Sequence, residues 1–291
     1  MKNYLRGIIF QKIAYNIFWG LLLLLLLCAS LAAGTVANTT RIQKEEKKLP
    51  VYSVDTKDRL AALTFNCAWN IDDLDSILGI LRKNDIRASF FMTGEWVEQY
   101  PEAVKKIQKA GHDLASHGDK HRHMNSLSAE ECKKEIYEIH KKVFELTGVE
   151  MELFRPPYGE YNDTVIQTAL EMDYYPIQWS VDSLDWKNYG VEEMTRQVVE
   201  NKHLDNGAII LMHNGTLYTA QALQGIIDGL ENKGYQFVPV SELILRDGYV
   251  INHEGKQMAG NNILVSQPDL CYYLMIEMYM NQEKDKWRRK I

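Results

Sequence analysis

The chain has 291 residues, 46% hydrophobic and 25% charged, which is enough for a globular domain with a sizeable core. A net charge of -6 with no basic stripe away from the two ends excludes a nucleic-acid surface, because binding phosphate backbones requires clustered Lys and Arg. Four widely spaced cysteines, Cys28, Cys67, Cys132 and Cys271, form no CxxC pair and exclude a disulfide framework or a zinc-finger pattern.

In chain order, Lys2, Arg6 and Lys12 precede an apolar stretch over residues 13–37 that holds seven consecutive leucines, Leu21 to Leu27. Segment 1–37 reads as a single membrane span with a cytoplasmic amino terminus, which makes the protein a single-pass cell-membrane protein with everything after the span extracytoplasmic. Thr35-Val36-Ala37 offers a small-residue cleavage site, so a secreted form stays open. Residues 38–59 follow as a polar linker, their Lys and Glu run over 44–48 a solvated spacer.

Residues 60–245 alternate short apolar strands with amphipathic helices. Strands are expected over 60–67, 88–94, 113–117, 151–155, 176–182, 208–213 and 236–239, and helices over 72–83, 101–110, 129–146, 162–172, 191–201 and 220–232. Gly111, Gly148 and Gly234 mark helix stops. Seven strands in this order imply a parallel sheet, and their count suits an α/β fold closed as a barrel. In a barrel the carboxyl ends of the strands share one site.

Those ends carry the chemistry. The third supplies His117 and His121 with Asp119 between them, and two imidazoles four residues apart can meet one cation where the chain turns helically. The fourth supplies Arg155-Pro156-Pro157-Tyr158-Gly159, a rigid turn beside an arginine able to hold a carboxylate in a forked pair. The fifth supplies Asp182 and Asp185 beside Trp186, and the sixth supplies Leu211 and His213. His213 with Asp182 or Asp185 suits a proton donor, because a neighbouring carboxylate favours imidazolium.

These segments, with Ser89-Phe90-Phe91-Met92-Thr93-Gly94 and Gly111-His112-Asp113, resemble the polysaccharide deacetylases, carbohydrate esterase family four. The resemblance covers about two thirds of the chain, residues 60–245. It implies a distorted seven-stranded β/α barrel and metal-dependent removal of acetyl groups from N-acetylated amino sugars in a cell-wall polysaccharide such as peptidoglycan. It further implies His117 and His121 as metal ligands, Arg155 orienting the catalytic base, and the Tyr158 backbone N–H in the oxyanion hole. Asp182, Asp185 and Trp186 would tune the acid and wall the cleft, Leu211 would contact the acetyl methyl, and His213 would be the general acid. The metal expected is divalent, zinc first, with cobalt or manganese as alternatives.

The first motif departs from the family. Where the family has Thr-Phe-Asp-Asp-Gly, this chain has Thr64-Phe65-Asn66-Cys67-Ala68. Asn66 cannot accept a proton as a carboxylate does, and losing a positioned base costs on the order of 10² to 10⁴ in rate. Cys67 as thiolate would complete a His₂Cys zinc set, and Asp72 or Asp73, early in the first helix, are substitute carboxylates for metal or base; capping is the plainer reason for acids there. Two function classes follow: a cell-wall deacetylase with a rearranged base, or a catalytically inactive membrane-anchored glycan-binding or scaffold homologue. Residues 246–291 are a carboxyl-terminal extension with an apolar patch over 271–280 and a basic end, expected to pack on the barrel.

Overall fold

The computed structural model describes residues 48–260. Its centre is β2 (Leu60–Cys67), an apolar run buried on both faces, as for a strand covered from two sides. Ala61, Leu63, Phe65 and Cys67 pack outward into a core shared with the helices, whereas Ala62 joins an inner core with Phe91, Ala115 and Ile209. Side chains alternate along a strand, so Thr64 and Asn66 share the inward face of Ala62.

β2 pairs in parallel with β3 (Ser89–Met92) along one edge and with β8 (Ala208–His213) along the other. The parallel sheet continues from β3 through β4 (Asp113–Ser116) and β5 (Leu153–Phe154) to β6 (Tyr175–Pro176). The far edge of β8 is divided: β1 (Ser53–Val54) pairs antiparallel at Ala208, and β7 (Val181–Asp182) pairs in parallel at Ile210 and Leu211. Val51 donates to the Pro176 carbonyl at 2.8 Å and accepts from the Gln178 N–H at 2.7 Å, which joins the β6 edge to this seam. The sheet thereby curls into the distorted β/α barrel that the sequence implied.

The distortion has identifiable causes. The expected strand over 176–182 is split into β6 and β7 because its first part meets Val51 and its second part meets β8. The seventh strand, β9 (Gln236–Phe237), pairs with Leu60 and Ala61, on the edge of β2 that β3 occupies further along, so β8 lies directly against β2.

The linker expected over 38–59 is corrected over its described part. Val51, Ser53 and Val54 are buried, and β1 is a strand of the sheet. Val51 bridging to the β6 edge and Ser53 pairing with β8 outweigh the polar character of their neighbours. Gly207, at φ +75°, permits the contact: a Cβ there would lie 1.8 Å from the Val54 carbonyl oxygen. The extension beginning at residue 246 likewise contributes to this sheet, as β10 (Tyr249–Ile251) and β11 (Lys256–Ala259) form an antiparallel pair and β11 pairs in parallel with β1. Among the described residues no helix is long and apolar enough to cross a membrane. The expected span over 1–37 and the apolar patch over 271–280 lie outside them.

The helices follow their local signals. α1 (Leu74–Lys83) buries Leu74, Ile77 and Leu81 on the barrel. α2 (Gly94–Gln99), absent from the sequence reading, starts where the Thr93 hydroxyl accepts the Trp96 N–H. α3 (Pro101–Lys109) opens on proline, which suits a first-turn position. α4 (Ala129–Thr147) has a reciprocal Ser128–Glu131 capping box and ends at left-handed Gly148. α5 (Asp163–Glu171) is capped by Asn162; α6 (Val191–Val199), α7 (Thr219–Asn232) and the short α8 (Val240–Leu243) complete the ring.

Candidate active site

Asn66, at the end of β2, is buried between two partners. Its Oδ1 accepts from the Arg155 guanidinium at 2.9 Å, and its Nδ2 lies 3.2 Å from His117 Nε2. Arg155 is fully buried and also donates to Thr64 Oγ1 at 3.0 Å and the Gln178 carbonyl at 3.2 Å, with its carbon 3.9 Å from the Phe91 ring centre. None of these partners is a carboxylate, and Arg155 Nε is buried without a hydrogen bond. Burial pulls the guanidinium down to about 9, opposed by Asp182, so it remains cationic at pH 7.

His117 follows β4 on the inward face. Its Nδ1 donates to the Arg155 carbonyl at 2.7 Å, and its Nε2 faces His121 Nε2 at 3.3 Å. Burial first, then the charge of its neighbour, holds the His117 pKa well below the usual imidazole range; His121 is lowered by burial and by His213. Both rings are neutral at pH 7. His121 is placed by a left-handed turn, φ +50°, and packs on Tyr158, whose other contact is a stack with His123 at 4.2 Å. Tyr158 is itself left-handed, φ +59°, and exposed at the rim.

The opposite wall is built on Asp185. One of its oxygens accepts His213 Nδ1–H at 2.8 Å and the Trp186 N–H at 2.9 Å; the other accepts the His213 backbone N–H at 2.6 Å and the Thr219 hydroxyl at 2.8 Å. The pairing left open in the sequence is therefore His213 with Asp185. Asp182 accepts the Leu184 N–H at 2.8 Å, and burial raises its pKa. Leu211 is buried on the inward face between these groups, and Trp186 is half exposed beside them.

Trp69 lies flat on the His213 ring, centroids 5.1 Å apart and planes 25° apart. The turn carrying it is tied to the loop after β8: the Asn214 N–H donates to the Asn66 carbonyl, the Asn214 amide to the Asn70 carbonyl at 2.6 Å, and the Gly215 N–H to Asp73 Oδ1 at 2.7 Å. Sequence reasoning missed Trp69, Thr64, Gln178 and Thr219. An aromatic in an otherwise polar turn was a usable signal for Trp69, and Thr64 stood at the head of the altered first motif; nothing local marked Gln178 or Thr219.

Three expected ligands are not brought to the histidine pair. Cys67 points outward into the helix-side core, where its Sγ contacts the Phe65 carbonyl at 3.9 Å and burial, with Asp73 nearby, pushes its thiol far up. Because Asn66 faces inward, alternation turns Cys67 away. Asp72 is exposed at the surface. Asp73 is committed to Gly215, its second oxygen buried without a partner and its pKa raised by burial. The structure brings together Asn66, Arg155, His117 and His121 on one side and Asp185, His213 and Leu211 on the other.

The barrel thus gathers a histidine pair and a carboxylate-held histidine at its strand ends. The sequence comparisons name the class: residues 53–177 match the family model described as polysaccharide deacetylase. A Bacillus cereus peptidoglycan-N-acetylglucosamine deacetylase is 36% identical over 66% of this chain and 92% of its own. The chain belongs to the polysaccharide deacetylase family. It spans 60% of another relative, the 32% identical uncharacterized protein YlxY of Bacillus subtilis. A Bacillus anthracis structure described as a family-four pseudoenzyme superposes with a TM-score of 0.64 at 32% identity, covering 68% of this chain and 69% of that one, and a mutant of it described as having restored enzymatic activity superposes with the same TM-score and identity, covering 68% of this chain and 71% of its own.

Deacetylases of this family generally use a divalent metal. Here two imidazole nitrogens converge, but among the described residues no group of three His, Cys, Asp or Glu side chains is placed to hold a metal ion. The residues present do not fit a three-ligand site.

Proposed function

We propose that this protein binds the N-acetylated amino sugars of a cell-wall polysaccharide such as peptidoglycan and removes their acetyl groups slowly. The observation that carries this reading is the Asp185–His213 pair: the carboxylate holds Nδ1–H and leaves Nε2 as the atom from which the ring, once it has taken up a second proton, would protonate a departing amine. Binding a glycan requires no such proton donor. Leu211 offers an apolar floor for an acetyl methyl, Trp186 and Trp69 offer rings for sugar faces, and the Tyr158 N–H is the donor proposed for a developing oxyanion. Asn66 replaces the group that would take a proton from water, so that half of the reaction is impaired. Zinc is the cation two imidazoles would favour, with cobalt or manganese behind it. The apolar stretch over 13–37, with Lys2, Arg6 and Lys12 before it, supports a cell-membrane, single-pass protein with this domain extracytoplasmic.

A second reading, a glycan-binding protein without turnover, is favoured by the amide of Asn66 sitting between Arg155 and His117. Acetate release and glycan binding, measured on the full-length chain with peptidoglycan fragments and chitooligosaccharides, separate the two. Slow release that rises on the order of 10²-fold or more in Asn66→Asp supports the first reading. Release from Asn66→Asp alone, with binding in both, supports the second. No binding and no release by either chain defeats both.

A further inference from the structure

We infer that Asn66 closes the histidine pair to metal, by filling with its own N–H the lone pair that a cation would use. The assignment follows from two fixed ends. Arg155 can only donate, so the Asn66 atom 2.9 Å from it is the carbonyl oxygen, and the NH₂ group is the one 3.2 Å from His117 Nε2. At the other end, the backbone carbonyl of Arg155 can only accept, so His117 carries its proton on Nδ1, at 2.7 Å, and its lone pair on Nε2. Donor amide meets lone pair. His117 is satisfied at both nitrogens by protein alone.

Turning the Asn66 amide over would set an NH₂ group against the guanidinium and an oxygen against the lone pair, losing both hydrogen bonds in a place where Asn66 and His117 are buried. A cation entering at His117 must therefore displace Asn66, and it must do so near a buried guanidinium whose partners include no carboxylate. Coulomb repulsion there is little screened. Aspartate at position 66 would reverse both obstacles, since a carboxylate has no N–H to offer His117 and it would neutralise Arg155. One side chain thus sets whether the pair is a metal site or a neutral packing unit, whatever the fate of a glycan in the cleft.

The test titrates zinc chloride into the full-length chain and reads zinc bound per chain by equilibrium dialysis, with the thermal midpoint as a second readout. Asn66→Asp is expected to bind one zinc about 10- to 100-fold tighter than wild type, the range over which partners of a ligating imidazole change metal affinity. Zinc should raise its midpoint and leave that of wild type unmoved, and His117→Ala in the Asn66→Asp background should remove the gain. Asn66→Ala, which deletes the N–H without adding charge, should bind zinc more tightly than wild type and decides the matter if Asn66→Asp does not fold. Wild type binding zinc as tightly as Asn66→Asp, a gain that survives His117→Ala, or Asn66→Ala binding no tighter than wild type each overturns the inference.

Discussion

Asp185 holds His213 by ring and backbone at once, accepting Nδ1–H at 2.8 Å and the main-chain N–H at 2.6 Å. Two bonds from one carboxylate fix both the position of the residue and the tautomer of its ring. Nε2 is thereby left for the substrate.

Asp185→Asn removes the charge and offers NH₂ where an acceptor is needed. Acetate release, followed in the Asn66→Asp background where turnover is larger, should fall on the order of 10²-fold or more. Glycan affinity should change by less than about threefold, roughly 0.65 kcal/mol. A parallel loss of affinity would show that Asp185 shapes the cleft rather than the acid.

Trp69 supports the other face of the same ring. Trp69→Ala should slow release roughly threefold to tenfold, corresponding to about 0.5–1.5 kcal/mol for an aromatic pair. Trp69→Phe should recover most of the rate. If Phe and Ala behave alike, the stack has no part in holding His213.

Cys67 and Cys132 are both buried free thiols whose pKa values are raised, chiefly by burial. Thiolate is the reactive form, so neither should be alkylated in the native protein until denaturant opens the fold. Peptide mapping after brief iodoacetamide treatment checks this. Rapid native labelling of Cys67, or its protection by added zinc, would return it to the cleft.

His112 packs on Phe90 with Nε2 buried and unpartnered, and burial lowers its pKa to about 4. Its unfolded form takes up a proton near the ordinary value of about 6.5 while the folded form does not. This contribution is therefore intact above 6.5 and is lost as pH falls towards 4. Asp73 and Asp182, raised by burial, act in the opposite sense. Denaturant midpoints of wild type and His112→Gln at stepped pH isolate the histidine: the variant should show the shallower decline.

Much of this was legible from residues with a strong local signature. The apolar run over 60–67 read as a strand, and Ser128 with Glu131 and Gly148 bounded α4 nearly to the residue. The strand-end rule gathered His117, Arg155 and His213, because a barrel converts distant sequence positions into one rim. What escaped was set by tertiary pairing. β1 and β11 are too short to show a period, and their partners lie far along the chain. Cys67 was misplaced although the sequence held the answer, since neighbours on a strand face opposite ways and Asn66 already claimed the inside.

The small strand β1 touches β8 at residue 208 and β11 at residues 256 and 257. Its pairing must therefore wait until nearly all of the described chain has been made. Loop closure over such distances is slow, and the edges of β8 and β6 stay open to wrong partners meanwhile. A chain cut short before β11 would keep the seam between β6 and β8 but leave β1 without its parallel partner.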